Sequence, residues 1–295
     1  MESQRFLQKI TEFARTVVHK RADQQEKFSI AQAGVICCRH RQQIREVPFL
    51  QPSLVLVLAG RKILYHGDRE IRCDRGNYFA IPAPAQFNMV NVPGAGRQEY
   101  LALCISFDAA LIERFRQLYN HGADGLEEPG SLAGAGNALL YSTLLHFLEV
   151  TDLPEADAEM IEHRLLEILL CLTRHCRIPH MLLSMSGSWR ERLSSLFMTD
   201  PARMWRVPEV CRLLAVSEST LGRNLRKENT SFQRVLDDVR LGQALAQIQF
   251  TDWSISRIAG NCGYQSVSSF TERFRHRFQT TPTRLRKQGP DPDEK

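Results

Sequence analysis

Two short apolar helices, each leading through a tight turn into a second helix that opens on serine, constrain this 295-residue chain more than any other feature. The serine-started helices begin at Ser217 (SESTLGRNLRK) and Ser266 (SVSSFTERFR), 49 residues apart. In the first unit Pro208 falls near the first turn of the supporting helix, where a missing N–H costs nothing. Val210, Leu213 and Leu214 form its apolar stripe, and Ala215-Val216 makes the turn. Ser217 can accept from a vacant backbone N–H and start the next helix. Leu221 and Leu225 then face inward, which leaves Glu218, Ser219, Gly222, Arg223 and Arg226 outward. The second unit repeats the pattern. Ile255, Ile258 and Ala259 are buried, Gly263 suits a left-handed turn, and Ser266 caps. Phe270, Phe274 and Phe278 point inward at four-residue spacing. Between the units, Phe232–Phe250 predicts a long amphipathic strut built on Val235, Leu236, Val239, Leu241, Ala244, Leu245 and Ile248.

A repeated helix-turn-helix can read DNA twice from one chain. The second helix of each unit enters the major groove with its N-terminal part against the base edges. Arg223 is the residue suited to a bidentate bond with guanine. Gly222 permits close approach, Ser219 and Thr220 lie on the first turn, and Arg226 and Lys227, a turn further on, suit phosphates. Ser268, Thr271, Glu272 and Arg275 occupy the outward positions of the second helix. The strut would set the two reading helices about one DNA turn apart, ~34 Å. Charge agrees: residues 190–287 hold 17 Lys and Arg against 9 Asp and Glu, a net +8, in a chain whose total is +5. A basic excess of this kind favours phosphate backbones.

The first half reads differently. Residues 2–20 form an amphipathic helix on Phe6, Ile10, Phe13 and Val17. From about 28 to 108 the pattern turns to short strands between turns, six or so in number, which predicts a small β-barrel or a double-sheet jelly roll. Ser53–Ala59 is apolar on both faces and should be sandwiched; Gly67-Asp68 marks a hairpin. Helices follow at Ala109–Tyr119, Asn137–Val150 and Asp157–Cys176, with a Gly-rich loop over His121–Gly136. On the last helix Ile161, Leu165, Ile168 and Leu172 step by four, three and four. That seam fits a partner helix, and hence a homodimer, or the helix's own barrel. The fold class is therefore α+β: an N-terminal barrel with flanking helices over 1–177, a linker at 178–188, an all-α domain over 189–287, and a disordered tail at 288–295.

The residues from about Trp189 to Lys287 resemble the DNA-binding domain of the AraC/XylS family of bacterial transcription regulators. The resemblance rests on Ser254-Ile255, Ile258-Ala259, Cys262-Gly263-Tyr264, Ser268-Ser269-Phe270, Arg273-Phe274-Arg275, Phe278, Thr281-Pro282 and Leu285-Arg286. Ser217, Leu221, Arg223, Leu225-Arg226-Lys227, Val239-Arg240-Leu241 and Ala244 carry it through the first unit. Cys211, Asn229 and Glu272 depart from it, and Glu272 could accept from cytosine N4 or avoid the DNA. More loosely, Pro52-Ser53-Leu54, Leu58 to Lys62, Gly67, Asp74 and Gly76 resemble the family's cupin-like sensor half. The resemblance implies a promoter-binding regulator, an activator in preference to a repressor, with RNA polymerase as a partner. It also implies a sensor half that binds a small effector, dimerises, or does both.

Arg39, His40 and Arg41 on an early strand, with Lys62, Tyr65 and His66 near the hairpin, make either a polar end to a barrel pocket for a carboxylate ligand or a solvated face. The nine histidines contain no HxH pair and the eight cysteines no CxxC, so no metal or other cofactor is expected. The cysteines read as reduced packing residues, Cys37-Cys38 included. No apolar run reaches the ~18 residues of a membrane span, no signal peptide is apparent, and a cytoplasmic location follows. The alternatives are a cupin-type or thiol-dependent enzyme with a DNA-binding appendage, or a regulator controlled by a protein partner. The enzyme would need a metal constellation or a Cys-His cleft.

Overall fold

The computed structural model describes residues 2–19, 32–96, 98–119, 132–176 and 187–286. Most of the linker, the C-terminal tail and His121–Gly130 of the Gly-rich loop lie outside these residues.

Helix α1 (Glu2–His19) buries Leu7, Ile10, Ala14 and Val17. The face is rotated slightly from the expected one, so Phe6 and Phe13 sit at its half-buried edges. Eight strands follow: β1 (Ala33–Cys38), β2 (Gln42–Phe49), β3 (Ser53–Ala59), β4 (Arg61–His66), β5 (Arg69–Asp74), β6 (Asn77–Ile81), β7 (Ala85–Val92) and β8 (Tyr100–Ser106). A short β9 (Ala133–Ala135) is added after α2 (Ala109–Tyr119). The strands form two sheets, ordered β1-β8-β3-β6-β9 and β2-β7-β4-β5, so the double-sheet alternative holds rather than one closed barrel. β3 is buried on both faces, as its unbroken apolar run requires: Leu54, Leu56 and Leu58 face the helices, and Val55 and Val57 face the second sheet.

Helices α3 (Ala138–Asp152) and α4 (Ala158–His175) cover the outer face of the five-stranded sheet together with α1 and α2. Asn137 and Asp157 cap them, each accepting a backbone N–H from three residues on. Ile161, Leu165, Ile168 and Leu172 are all buried in this layer. Of the two readings of that seam, a partner helix or its own domain, packing within the protomer accounts for these side chains, which share one buried cluster with α1, α2, α3 and the sheet.

The C-terminal half is all helical: α5 (Trp189–Met198), α6 (Val207–Leu213), α7 (Glu218–Lys227), α8 (Phe232–Phe250), α9 (Ile255–Asn261), α10 (Val267–Phe278) and α11 (Pro282–Arg286). Its two units have separate cores. Leu193, Phe197, Trp205, Val210, Leu221, Leu225 and Val239 close around the first. The second is continuous with the interior of the sheet domain: Phe270, Phe274, Phe278 and Leu285 belong to one cluster with Ile44, Val55, Phe79, Phe87 and Tyr100. Burying each such phenylalanine is worth roughly 1.5–3 kcal/mol, so the second unit is docked on the sheets rather than tethered beside them.

Close backbone approach makes this docking possible. The ring of Phe250 lies over Gly34 of β1, where an added Cβ would stand 2.7 Å from the ring. Gly242 of α8 faces Pro48 and Leu50 less tightly, where a Cβ would stand 3.3 Å from the Pro48 ring. A bulge in β2 between Ile44 and Val47 puts Glu46 in a left-handed conformation (φ 50°) and turns its carboxylate toward Arg277 of α10.

Candidate nucleic-acid interface

Each reading unit is built from the same turn. Ala215 (φ 53°) and Gly263 (φ 78°) take the left-handed conformation after α6 and α9. The next N–H reaches back to close each helix, Val216 to the Cys211 carbonyl at 3.0 Å and Tyr264 to the Ala259 carbonyl at 2.9 Å. This is a Schellman closure. Serine then restarts the chain: Ser217 Oγ accepts from the Thr220 N–H and Ser266 Oγ from the Ser269 N–H, both at 3.2 Å. The turns are 48 residues apart and the caps 49, because Gln265 is one extra residue in the second unit.

Leu221 and Leu225 anchor α7. Ser219, Arg223, Arg226 and Lys227 are exposed, and Thr220 and Gly222 are half-buried. Thr220 is held by Ser217, hydroxyl to hydroxyl at 2.8 Å. Arg226 folds back to donate to the Gly222 carbonyl at 3.1 Å, whereas Arg223 has no partner among the described residues. The supporting helix differs from expectation in one place. Leu213 is exposed and Cys211 is buried in its stead, because the face of α6 that meets the Leu221 and Leu225 core carries Val210 and Cys211.

On α10, Ser268, Glu272 and Arg275 are exposed and Thr271 is half-buried. The adjoining face of the helix is occupied. Arg273 pairs with Asp237, and Arg277 bridges Glu46 of the sheet domain and Asp238 of α8. Ser269, Glu272, Arg273, His276 and Gln279 line a cleft of about 1040 Å³ shared with Arg45 and Glu46. The second reading helix is thus walled on one side by the N-terminal half.

Two groups brace the units against each other. Asp238, 5% exposed, accepts from Arg190 of α5 at 3.0 Å and Arg277 of α10 at 2.8 Å. Arg240 donates to the Pro201 and Arg203 carbonyls of the first unit while lying against Gly263 of the second. Both sit on α8, so the strut acts as a clamp as well as a spacer.

The five candidate effector residues are not brought together. Arg39 and His40 sit in the turn between β1 and β2 rather than on a strand. Tyr65 and His66 are at the far end of β4, with the His66 ring 5.4 Å from Phe87. Lys62 alone points into the sheet interior, and it is fully buried. Alternation sends Tyr65 to the opposite face from Lys62, whereas His66 shares the Lys62 face but lies four residues further along β4, at its exposed end. Lys62 Nζ donates to Asn91 Oδ1 at 2.8 Å and lies 3.3 Å from Met89 Sδ and 5.8 Å above the Tyr100 ring. Burial lowers the pKa of its amine, and nearby thiols oppose this. The Tyr100 hydroxyl beside it is buried with no hydrogen-bond partner among the described residues.

Asn91, Gln42 and Asp238 escaped the sequence reading. Isolated polar residues in apolar segments give no periodic signal, and only an interior lysine on β4 could have pointed to Asn91. Cys176 is a further departure. Its thiol is pulled down to about 7 by a hydrogen bond from Cys171, against burial and with help from Tyr78 and Asn137. Cys38, Cys73, Cys104 and Cys262 are pushed up to about 12 by burial. Among the described residues no group of three or more His, Cys, Asp or Glu is arranged to hold a metal. No described helix is long and apolar enough to cross a membrane.

Comparison with known proteins matches residues 31–176 to the AraC-type transcriptional regulator N-terminus and residues 210–288 to a helix-turn-helix domain. The urease operon transcriptional activator of Escherichia coli is 32% identical over 99 residues, 34% of this chain and 33% of that protein. The regulator GadX of E. coli K12 is 34% identical over 129 residues, 43% of this chain and 47% of that protein. The match thus spans a third to a half of the length of these relatives. Among solved structures, ToxT of Vibrio cholerae with an unsaturated fatty acid bound superposes with a TM-score of 0.60 at 14% identity, covering 86% of this chain and 94% of that one. That likeness establishes the fold. With the AraC-type N-terminal region in the first half and the paired Ser-capped helix-turn-helix units in the second, the chain belongs to the AraC family of transcriptional regulators.

Proposed function

We propose that this protein binds promoter DNA in the bacterial cytoplasm and regulates transcription, reading bases with α7 and gripping a second groove with α10. The observation that carries the reading is Arg223. It is an exposed guanidinium with no partner among the described residues, on a helix fixed by a serine cap, a Schellman turn and two buried leucines. A donor fork held on a rigid element suits bidentate recognition of guanine. Arg226 and Lys227 supply phosphate contacts, and Ser268, Thr271, Glu272 and Arg275 form the second, more restricted surface. Ser219, Thr220 and Gly222 line the approach in the first. Activation through RNA polymerase fits this reading.

The N-terminal half takes a small acidic effector at Lys62. A buried cation is ordinarily paired, yet among the described residues the acceptors Lys62 has are one amide oxygen and one thioether. The fatty acid in the ToxT structure makes a carboxylate the natural first probe.

The test of the DNA reading is selection of bound duplexes from a random pool, followed by footprinting at moderate salt. Arg223→Ala should lose ~1–3 kcal/mol at the selected site and relax one base position. Equal affinity of the variant and wild type for that site refutes the assignment. For the effector, calorimetry with decanoate should detect binding that Lys62→Met abolishes; heat unchanged by that substitution refutes it.

A further inference from the structure

One row of polar side chains crosses the four-stranded sheet and leaves it. Gln42 on β2 stands opposite Asn91 on β7, and Asn91 stands opposite Lys62 on β4, so the three side chains share a face. They are hydrogen-bonded in series. Lys62 Nζ donates to Asn91 Oδ1 at 2.8 Å, Asn91 Nδ2 donates to Gln42 Oε1 at 3.3 Å, and Gln42 Nε2 donates to the Leu285 carbonyl of α11 at 2.9 Å. Strand β2 is the edge of its sheet. The row therefore runs from the closed interior straight into the DNA-binding half. The Leu285 carbonyl lies in the last turn of its helix, where no helical N–H reaches it.

The row has a direction. A lysine ammonium can only donate, whereas a primary amide accepts at one atom and donates at the other. Lys62 forces the Asn91 oxygen toward itself and the Asn91 nitrogen toward Gln42. That in turn leaves the Gln42 nitrogen for Leu285. Flipping either amide would set donor against donor or acceptor against acceptor. Leu285 packs in the same cluster as Phe274 and Phe278 of the second reading helix, so the end of the row touches the element that must meet DNA.

We infer that Lys62, Asn91 and Gln42 form a polarity relay that docks α11, and through it the second reading unit, on the sheet domain. An anion that draws the Lys62 ammonium off Asn91 removes the donor that orients Asn91, and the hold on Leu285 is relaxed. The trigger rests on the effector reading above; the docking role does not.

Hydrogen exchange of residues 279–286 in the full-length protein tests both. Gln42→Ala removes the last link at a half-exposed edge and should speed exchange in α11 about fivefold. Lys62→Met, a near-isosteric change that removes the buried charge, should speed it comparably although it lies two side chains away. The double variant should exchange no faster than Gln42→Ala alone. Thermal melting checks that each variant is folded, and Asn91→Leu gives a second break in the row should Lys62→Met fail to fold. Wild-type exchange in folded Lys62→Met or Asn91→Leu, or effects that multiply in the double variant, would overturn the relay. Added decanoate should reproduce the Lys62→Met exchange. If the variants behave as stated and decanoate does nothing, the carboxylate reading fails and the relay stands.

Discussion

Removing the Asp238 carboxylate should loosen both reading units at once. The side chain is 5% exposed and receives Arg190 and Arg277, which are themselves 25% and 12% exposed. Among the described residues, Arg190 Nε and Arg277 Nε are already buried without partners, so the Asp238 carboxylate is the main buried acceptor these two guanidinium groups share. Breaking a buried pair by deleting one member costs ~3–5 kcal/mol, because the other charge is left uncompensated. Here the lower end applies: Glu46 still faces Arg277, and Arg190 can reach water. At ~3 kcal/mol and ~2–4 °C per kcal/mol for a cooperative unit of this size, Asp238→Ala should lower Tm by about 6–12 °C in scanning calorimetry. Asp238→Asn keeps one acceptor and should lose about half as much. The neighbouring Asp237 pairs with Arg273, which is half exposed, so Asp237→Ala should cost ~0–1 kcal/mol. The contrast is the test. A shift below about 2 °C for Asp238→Ala, or equal shifts for the two aspartates, refutes the clamp.

Three further outcomes follow from particular sites. Gly263→Ala combines a left-handed φ of 78° with a Cβ only 2.8 Å from Arg240 and 3.0 Å from the Ala202 carbonyl; it should cost at least ~1–2 kcal/mol in urea unfolding, and an unchanged midpoint refutes it. The equivalent Ala215→Gly relieves a strained turn and should be neutral to stabilising by up to ~1 kcal/mol; clear destabilisation would contradict the geometry of that turn. The Cys176 thiol is drawn down to about 7 by its hydrogen bond with Cys171, which favours the thiolate near neutral pH. Its alkylation should rise with pH and level off near pH 8, roughly tenfold ahead of an ordinary thiol at pH 7. Buried Cys38 and Cys73 stay unmodified, and mass-spectrometric labelling of Cys176 no faster than Cys38 would be the contrary result.

What the chain itself specified is its local chemistry. Serine caps, the turn residues Ala215 and Gly263, the four-residue phenylalanine spacing and the unbroken apolar run of β3 were all legible, because each follows from rules spanning a few residues. So was Arg223, whose exposure follows from its position between Leu221 and Leu225. Tertiary structure alone decided which surfaces stay available. It took Ile161, Leu165, Ile168 and Leu172 into the protomer's own core, since a helical seam does not declare its partner. It separated Lys62 from Tyr65 by the pleat of β4 and from His66 by the length of that strand. It also brought Gln42, Asn91 and Lys62, far apart in the chain, into one row that ends on Leu285. Pairing register across β2, β7 and β4 is a long-range property set by packing both sheets at once, and no local pattern encodes it.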